Sequence, residues 1–426
     1  MSVPIALSGI ACRRLVTPDH ILDHVFLEFD GPRFGIAGDF NSSWLAPDAF
    51  NARQDGWIVI PGFVDVHLHG AMSHDYLDHT QESMAAISAW SAEGGTTSTV
   101  ATLTIPNADH DLTEYSKFVD QVQAAHPLVL DEQAKTGRLQ DDPAVSGLPG
   151  SRLIGIHLEG PFLNPERRGA FDPATHLRIP DTQFIAKVLD LSAELLVKIT
   201  MAPELPHGME VIDQLLSDPR TPIEIAPGHT IADYAFAARL FENPRIRTVT
   251  HMFNAMSSIH HRSPNLVTAA LLDDRVSVEV IPDGLHVAPP LLKLLHRVKG
   301  PKRFIAITDA TAVAGMPEGV PVPSFGRSIV IRNGVPRLPD GTFAGSALSM
   351  AEAFHNLVHK ADVPLQHAVE MCTKTPARSL HMERVIGDVQ PGYRADLAVI
   401  EEVTGKVVAT IRDGRLIYQN PDITIN

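Results

Sequence analysis

Eight short apolar, β-rich runs punctuate the chain between residues 64 and 308, with helix-like patterns between them. The runs cover residues 64–69, 97–102, 153–158, 197–202, 223–226, 248–251, 276–281 and 304–308. Helical spacing of apolar residues recurs at 81–93, 182–195, 232–242 and 290–298. Strand alternating with helix predicts a parallel sheet, and eight units suggest an α/β fold closed as a (β/α)8 TIM-like barrel. A doubly wound open sheet is the other arrangement that this pattern permits. Strand-like segments at 5–12, 24–29 and 57–60 are too few to close a sheet of their own. Those at 395–400, 406–411 and 416–418 can complete them. The expected division is a small β-sandwich made by residues 1–60 and 386–426, with the barrel at 61–385.

Two insertions break the rhythm. Residues 126–152 are polar and rich in Gly and Pro, as in an external loop. Residues 311–346 contain Asn333-Gly334, a strong hairpin signal, and stand where a loop could fold over a barrel's mouth.

Composition excludes some partners. The chain has 50 acidic and 35 basic residues and a net charge of −15, which argues against nucleic acid or an anionic membrane surface. An anionic substrate would need a local basic pocket. No apolar run is long enough to span a membrane. Cys12 and Cys372 lie far apart and form no Cys-x-x-Cys motif, so free thiols in a reducing, cytoplasmic setting are expected. The apolar N-terminus has no preceding positive charge, and Arg13-Arg14 follow it, which reads as a first strand instead of a signal peptide.

The chemistry starts at Gly62-Phe63-Val64-Asp65-Val66-His67-Leu68-His69-Gly70. On a strand, His67 and His69 share a face. With 21 His in 426 residues, one such pair arises about once by chance, so later strand ends must carry the argument. Strand three ends at Glu159 and strand five at His229; strand six contains His251, and strand eight ends at Asp309. In a parallel barrel these ends share one face, where barrel enzymes keep their sites. Imidazoles and carboxylates without thiolate suit Zn, Fe, Mn or Co as divalent ions. Such an ion lowers the pKa of a bound water, and a neighbouring carboxylate, Asp309, can take and return the proton. That is metal-assisted hydrolysis, most naturally of an amide.

These segments resemble the amidohydrolase superfamily and, within it, the N-acetylglucosamine-6-phosphate deacetylase family. The specific pieces are His157-Leu158-Glu159-Gly160-Pro161 and Asp283-Gly284-Leu285-His286. Also similar are Ala202-Pro203-Glu204, Gly228-His229-Thr230, Thr250-His251-Met252-Phe253-Asn254-Ala255-Met256, Thr308-Asp309-Ala310-Thr311 and the tail Pro391-Gly392-Tyr393-Arg394-Ala395-Asp396-Leu397. The resemblance covers nearly the whole chain. It implies Glu159, His229 and His251 as principal metal ligands, His67 and His69 as holders of a second ion, and one or two ions per subunit. It implies Asp309 as general acid/base, with metal-bound hydroxide as the nucleophile. Asn254 and Ala255 would contact an amino-sugar phosphate, and Arg262 and His286 its phosphate, with Arg262 reaching across a homodimer interface.

One departure bears on the substrate. Where that family usually has Gly-x-His, this chain reads Gly169-Ala170-Phe171. Phenylalanine donates no hydrogen bond to a developing oxyanion. Either the metal alone polarises the carbonyl, or His176 swings in, or the substrate is another N-acyl amine, such as a different N-acetylhexosamine phosphate or an N-acyl amino acid. A barrel that has lost catalysis and serves as a scaffold is the remaining alternative, and the full set of ligand-type residues speaks against it.

Overall fold

The structure, a computed structural model, describes residues 4–39, 46–125, 147–219 and 222–424. Eight parallel strands form: β1 Phe63–Leu68, β2 Thr96–Leu103, β3 Arg152–Glu159, β4 Leu196–Met201, β5 Glu224–Pro227, β6 Thr248–Val249, β7 Ser277–Val280 and β8 Phe304–Ala306. β1 to β5 hydrogen-bond in sequence order, and β6 to β8 do likewise. Both seams between these sheets are bridged. Asp309 N donates to His67 O and His69 N to Ala310 O, each at 2.9 Å. On the other side Thr250 N donates to Pro227 O at 3.2 Å, and Thr230 pairs with Met256. The barrel is therefore closed, and the open doubly wound sheet is excluded.

β1 to β4 are buried at every residue, as strands with helices outside and packed side chains inside must be. Helices Gln81–Glu93, Thr113–Ala124, Thr182–Ser192, Gly208–Ser217, Tyr234–Leu240, Leu266–Leu272 and Pro289–Lys299 fill the intervals between strands. Strand six is shorter than expected and stops before His251. The chain leaves the extended region there, with φ of 25° at His251, 78° at Phe253 and 48° at Ala255.

Of the first insertion, residues 126–146 lie outside the described residues, and Arg152 already begins β3. The second folds as a three-stranded antiparallel sheet, Pro321–Ser324, Arg327–Arg332 and Val335–Arg337. Asn333 and Gly334 have φ of 54° and 74°, the pair of positive values that a two-residue hairpin turn of matching twist requires. Val322, Phe325 and Ile329 bury themselves against Leu163 and Phe171, so this sheet roofs the mouth of the barrel.

Strands from both ends of the chain join in one nine-stranded sheet, which curls so that Arg33 pairs with Arg394. At its centre Trp57–Pro61 lies antiparallel to Leu397–Glu401. Alternation then serves two cores. Trp57, Val59, Leu397 and Val399 face the sheet's own core, and Ile58, Ile60, Ala398 and Ile400 face the barrel. Cys12 and Cys372 are buried free thiols. Among the described residues, no helix is long and apolar enough to cross a membrane.

Candidate active site

Alternation on β1 aims Asp65 and His67 into the barrel, and His69 follows on the same side just past the strand's end. On β3 it aims His157 and Glu159 inward. These side chains stack in layers. At the bottom, Asp65 accepts from Thr308 Oγ1 at 2.6 Å. Above it the His157 ring meets the His67 ring edge-on at 4.6 Å, while Thr102 and Thr200 hydroxyls occupy its two nitrogens. At the top, Glu159 is the hub. Its Oε1 lies 3.2 Å from His229 Nε2, 3.0 Å from His251 Nε2 and 3.5 Å from His67 Nε2. Its Oε2 lies 3.0 Å from His69 Nε2. Asp309 Oδ1 is 3.4 Å from Nε2 of both His67 and His69.

Two groups of ligand atoms thus form, His67/His69/Asp309 and Glu159/His229/His251, each with its atoms within 4.8 Å of one another. All six residues are buried. The donor set fits a divalent metal. His67 Nε2 is buried without a hydrogen bond. His229 Nδ1 donates to Arg167 O at 2.7 Å, which leaves its Nε2 lone pair facing Glu159. His67 Nδ1 lies 3.2 Å from Glu279 Oε2, so the same tautomer is favoured there. Burial alone would depress the two β1 histidines, but Glu159 and Asp309 outweigh it and raise His67 to about 9 and His69 to about 10. Glu159 stays well below the usual carboxylate range, because the surrounding histidines outweigh its burial. Groups that bind protons this tightly offer the same lone pairs to a cation.

A cavity of about 300 Å3 opens above this cluster. His69, Glu159, His229, His251 and Asp309 line its floor, with Asn254, Ala255 and His286 also in its wall. Asp283 fixes His286 by accepting from its backbone N at 2.8 Å and from Nδ1 at 2.7 Å. Ala170 and Phe171 line the cavity, and His67 lies beneath it. Arg262 is exposed in a turn and does not line it. His176 does not line it either. It is buried 6.1 Å from the Phe171 ring, with its Nδ1 engaged by Thr175 Oγ1 at 2.8 Å. Phe171 packs on Phe325 at 5.3 Å and on His229 at 5.6 Å, and Phe325 packs on His69 at 5.0 Å. The cavity wall beside these candidate ligand groups is therefore aromatic.

Residues 58–417 match the Amidohydrolase family. The chain belongs to it. It is 30% identical over 361 residues to N-acetylglucosamine-6-phosphate deacetylase of Bacillus subtilis, covering 85% of each protein. To N-acetylgalactosamine-6-phosphate deacetylase of Escherichia coli O157:H7 it is 28% identical over 350 residues, with 82% and 85% covered. Among solved structures, N-acetyl-D-glucosamine-6-phosphate deacetylase of Mycobacterium smegmatis superposes with a TM-score of 0.82 at 30% identity, covering 96% of this chain and all of that one.

Several residues of this amidohydrolase site escaped the sequence reading. Glu279 accepts from the buried Lys198 and orients His67. Both are charged residues inside apolar strand runs, Val278-Glu279-Val280 and Val197-Lys198-Ile199, and that was the available signal. Glu204, in a segment singled out without a role, ties three loops together through Asn164 Nδ2 at 2.8 Å, Thr230 Oγ1 at 2.5 Å and Ile231 N at 2.9 Å. Phe325 gave no sequence signal, because only the folded insertion brings it to His69.

Proposed function

We propose that this chain removes the acetyl group of N-acetylglucosamine 6-phosphate by metal-dependent hydrolysis, giving glucosamine 6-phosphate and acetate. The observation that carries the reading is the pair of His/carboxylate groups, linked by the Glu159 carboxylate, on the floor of a cavity whose wall includes His286. In this reading Glu159, His229 and His251 hold one divalent ion, and His67 and His69 hold a second. Zn, Fe, Mn and Co all suit these donors. When bound, such an ion supplies Lewis-acid activation of water and of the amide carbonyl.

The chain's own residues do the rest. Asp309, between the two β1 histidines and the cavity, takes a proton from the attacking water and gives it to the leaving amine. Asn254 and the Ala255 backbone orient the sugar, and His286, set by Asp283, meets the phosphate. Arg262 then completes the phosphate site from a second subunit of a homodimer, which accounts for its exposure in a single chain. Two buried thiols are compatible with a reducing, cytoplasmic setting. Residues 61–385 serve as the hydrolytic barrel, and 1–60 with 386–426 as its supporting sheet.

The test is acetate release by protein loaded in turn with each of the four metals, on N-acetylglucosamine 6-phosphate and on the unphosphorylated sugar. Fast, phosphate-dependent release is expected. Asp309→Asn should lower turnover by about a thousandfold or more while metal content, read by mass spectrometry, stays near that of the parent. Near-normal turnover by that variant would remove Asp309 from its role. A second reading keeps the chemistry and changes the substrate, because Phe171 stands where the resembled family has a histidine, and its ring packs on Phe325. N-acetylgalactosamine 6-phosphate and N-acyl amino acids in the same panel decide between the two.

A further inference from the structure

At the opposite end of the barrel lies a cavity of about 510 Å3. Six cationic side chains line it, Arg245, Arg247, Arg275, Lys302, Arg303 and Arg378, against two carboxylates, Glu224 and Glu383. In a chain with 50 acidic and 35 basic residues, that local excess runs against the overall charge. The topology gathers it. Glu224 opens β5, while Arg247, Arg275 and Arg303 stand just before β6, β7 and β8. Arg378 comes from the helix Lys374–Ser379.

Little of this charge is neutralised within the chain. Arg275 grips Asp273 at 2.6 Å, and Arg378 lies 3.5 Å from Glu370. Among the described residues, Arg245, Arg247, Lys302 and Arg303 have no carboxylate within ion-pair distance. Backbone carbonyls hold the guanidinium groups in place instead. Arg247 donates to Phe241 O at 2.8 Å, and Arg303 Nε donates to Asp274 O at 2.9 Å. Carbonyl bonds fix a guanidinium but leave its charge uncancelled. Burial, and then the nearby Arg275, hold Arg247 below its usual value. Burial also pushes Glu224 up to about 7, so near neutral pH it offsets only part of the positive charge. Residues at this end of a barrel ordinarily serve stability. Like charges gathered around a cavity work against stability unless an anion lies between them.

We propose that this cavity is a second anion-binding site, for inorganic phosphate or a phosphate monoester. The planar fork of arginine matches phosphate oxygens two at a time, and several forks around one cavity favour a multiply charged oxyanion over chloride. The site is independent of the chemistry at the other end of the barrel.

Equilibrium dialysis of the metal-loaded full chain, against labelled phosphate or labelled glucose 6-phosphate in about 0.15 M KCl, tests this. A His286→Gln background weakens anion binding at the active site. One anion per chain should still bind in that background. Arg247→Gln with Arg303→Gln should weaken its binding by about tenfold or more, without lowering acetate release at saturating substrate. Lys302→Gln, an exposed substitution that spares the fold, should weaken it about threefold, and it carries the test should the double variant fail to fold. Tighter binding of glucose 6-phosphate would assign the site to an ester, and tighter binding of phosphate to the free ion. Loss of all binding in KCl, or binding that neither set of substitutions changes, would overturn the proposal.

Discussion

His229, His251 and Asp309 have φ values of 48°, 25° and 50°, a region that side-chain-bearing residues rarely enter. Each such residue costs on the order of 1–3 kcal/mol, and the surrounding packing must supply it. The conformation turns a residue just past a strand's end back over the barrel axis, where Glu159 waits. Space around Asp309 is correspondingly tight. A Cβ on Gly345, itself at φ of 60°, would sit 2.5 Å from Asp309 O. Buried charges beneath the site are matched in the same way. Replacing Glu279 by Gln should strand the Lys198 ammonium and loosen His67. Expected are a loss of about 3 kcal/mol in denaturant unfolding and about a tenfold loss in metal affinity by chelator competition. Unchanged metal affinity would reduce Glu279 to a structural role. Glu224, by contrast, carries a cost that varies with pH. Burial raises it from 4.5 to about 7, so the folded chain holds that proton more tightly than the unfolded chain does. Its contribution to stability therefore falls as pH rises from about 4.5 to about 7. Glu224→Gln removes this dependence, and its stability advantage over the parent should grow by about 2–3 kcal/mol across that window in denaturant titrations.

At the scale of elements, strands one, three, five and eight end beside the two groups of ligand atoms, and that much was legible. Residues 197–202 and 276–281 read as strands because their apolar side chains alternate or run together with little Gly or Pro. Strand six was less legible. Thr248 to His251 looks continuous, yet only Thr248–Val249 pairs as strand, because the backbone turns at His251 to deliver its ring. The insertion after β8 announced its hairpin through Asn333-Gly334, but its destination depended on a cluster that includes Leu163 and Phe171, residues from the β3 loop. That cluster decides the character of the cavity wall beside His69 and His229. Phe171→His should place a hydrogen-bond donor there, raising kcat/KM on the acetamide by about tenfold and lowering Tm by a few degrees, because the Phe325 and His229 contacts lose an apolar ring. A rise confined to one sugar epimer would show that residue 171 sets substrate choice as well as rate.

Across the whole molecule, the curled sheet and the barrel share one buried ionic joint. Arg152, at the start of β3, donates to Asp396 Oδ1 at 2.7 Å and lies 2.8 Å from Asp413 Oδ1. Asp396 belongs to the tail segment Ala395-Asp396-Leu397, and its carbonyl also accepts from Gly62 N at 2.9 Å, at the entrance to β1. One residue near the chain's end thus anchors the strand that carries Glu159 and the one that carries His67. Asp396→Ala leaves a buried guanidinium facing Asp413 alone, and should cost about 3–5 kcal/mol. Thermal and denaturant unfolding should register the loss in one transition, and two separate transitions would show that the sheet and the barrel do not unfold together.

Local order and residue type were enough to determine the number of barrel strands, the end of the barrel that carries the site and six of its polar residues. Strand periodicity is a short-range property, and in a parallel barrel all strand ends of one kind must meet at one rim. Tertiary structure alone decided the partners. It brought Lys198 and Glu279 beneath His67, Phe325 against His69, and six separated cations around one cavity at the far end. Those contacts join residues tens to hundreds of positions apart. Their energies come from burial, which no single segment possesses until the barrel closes around it.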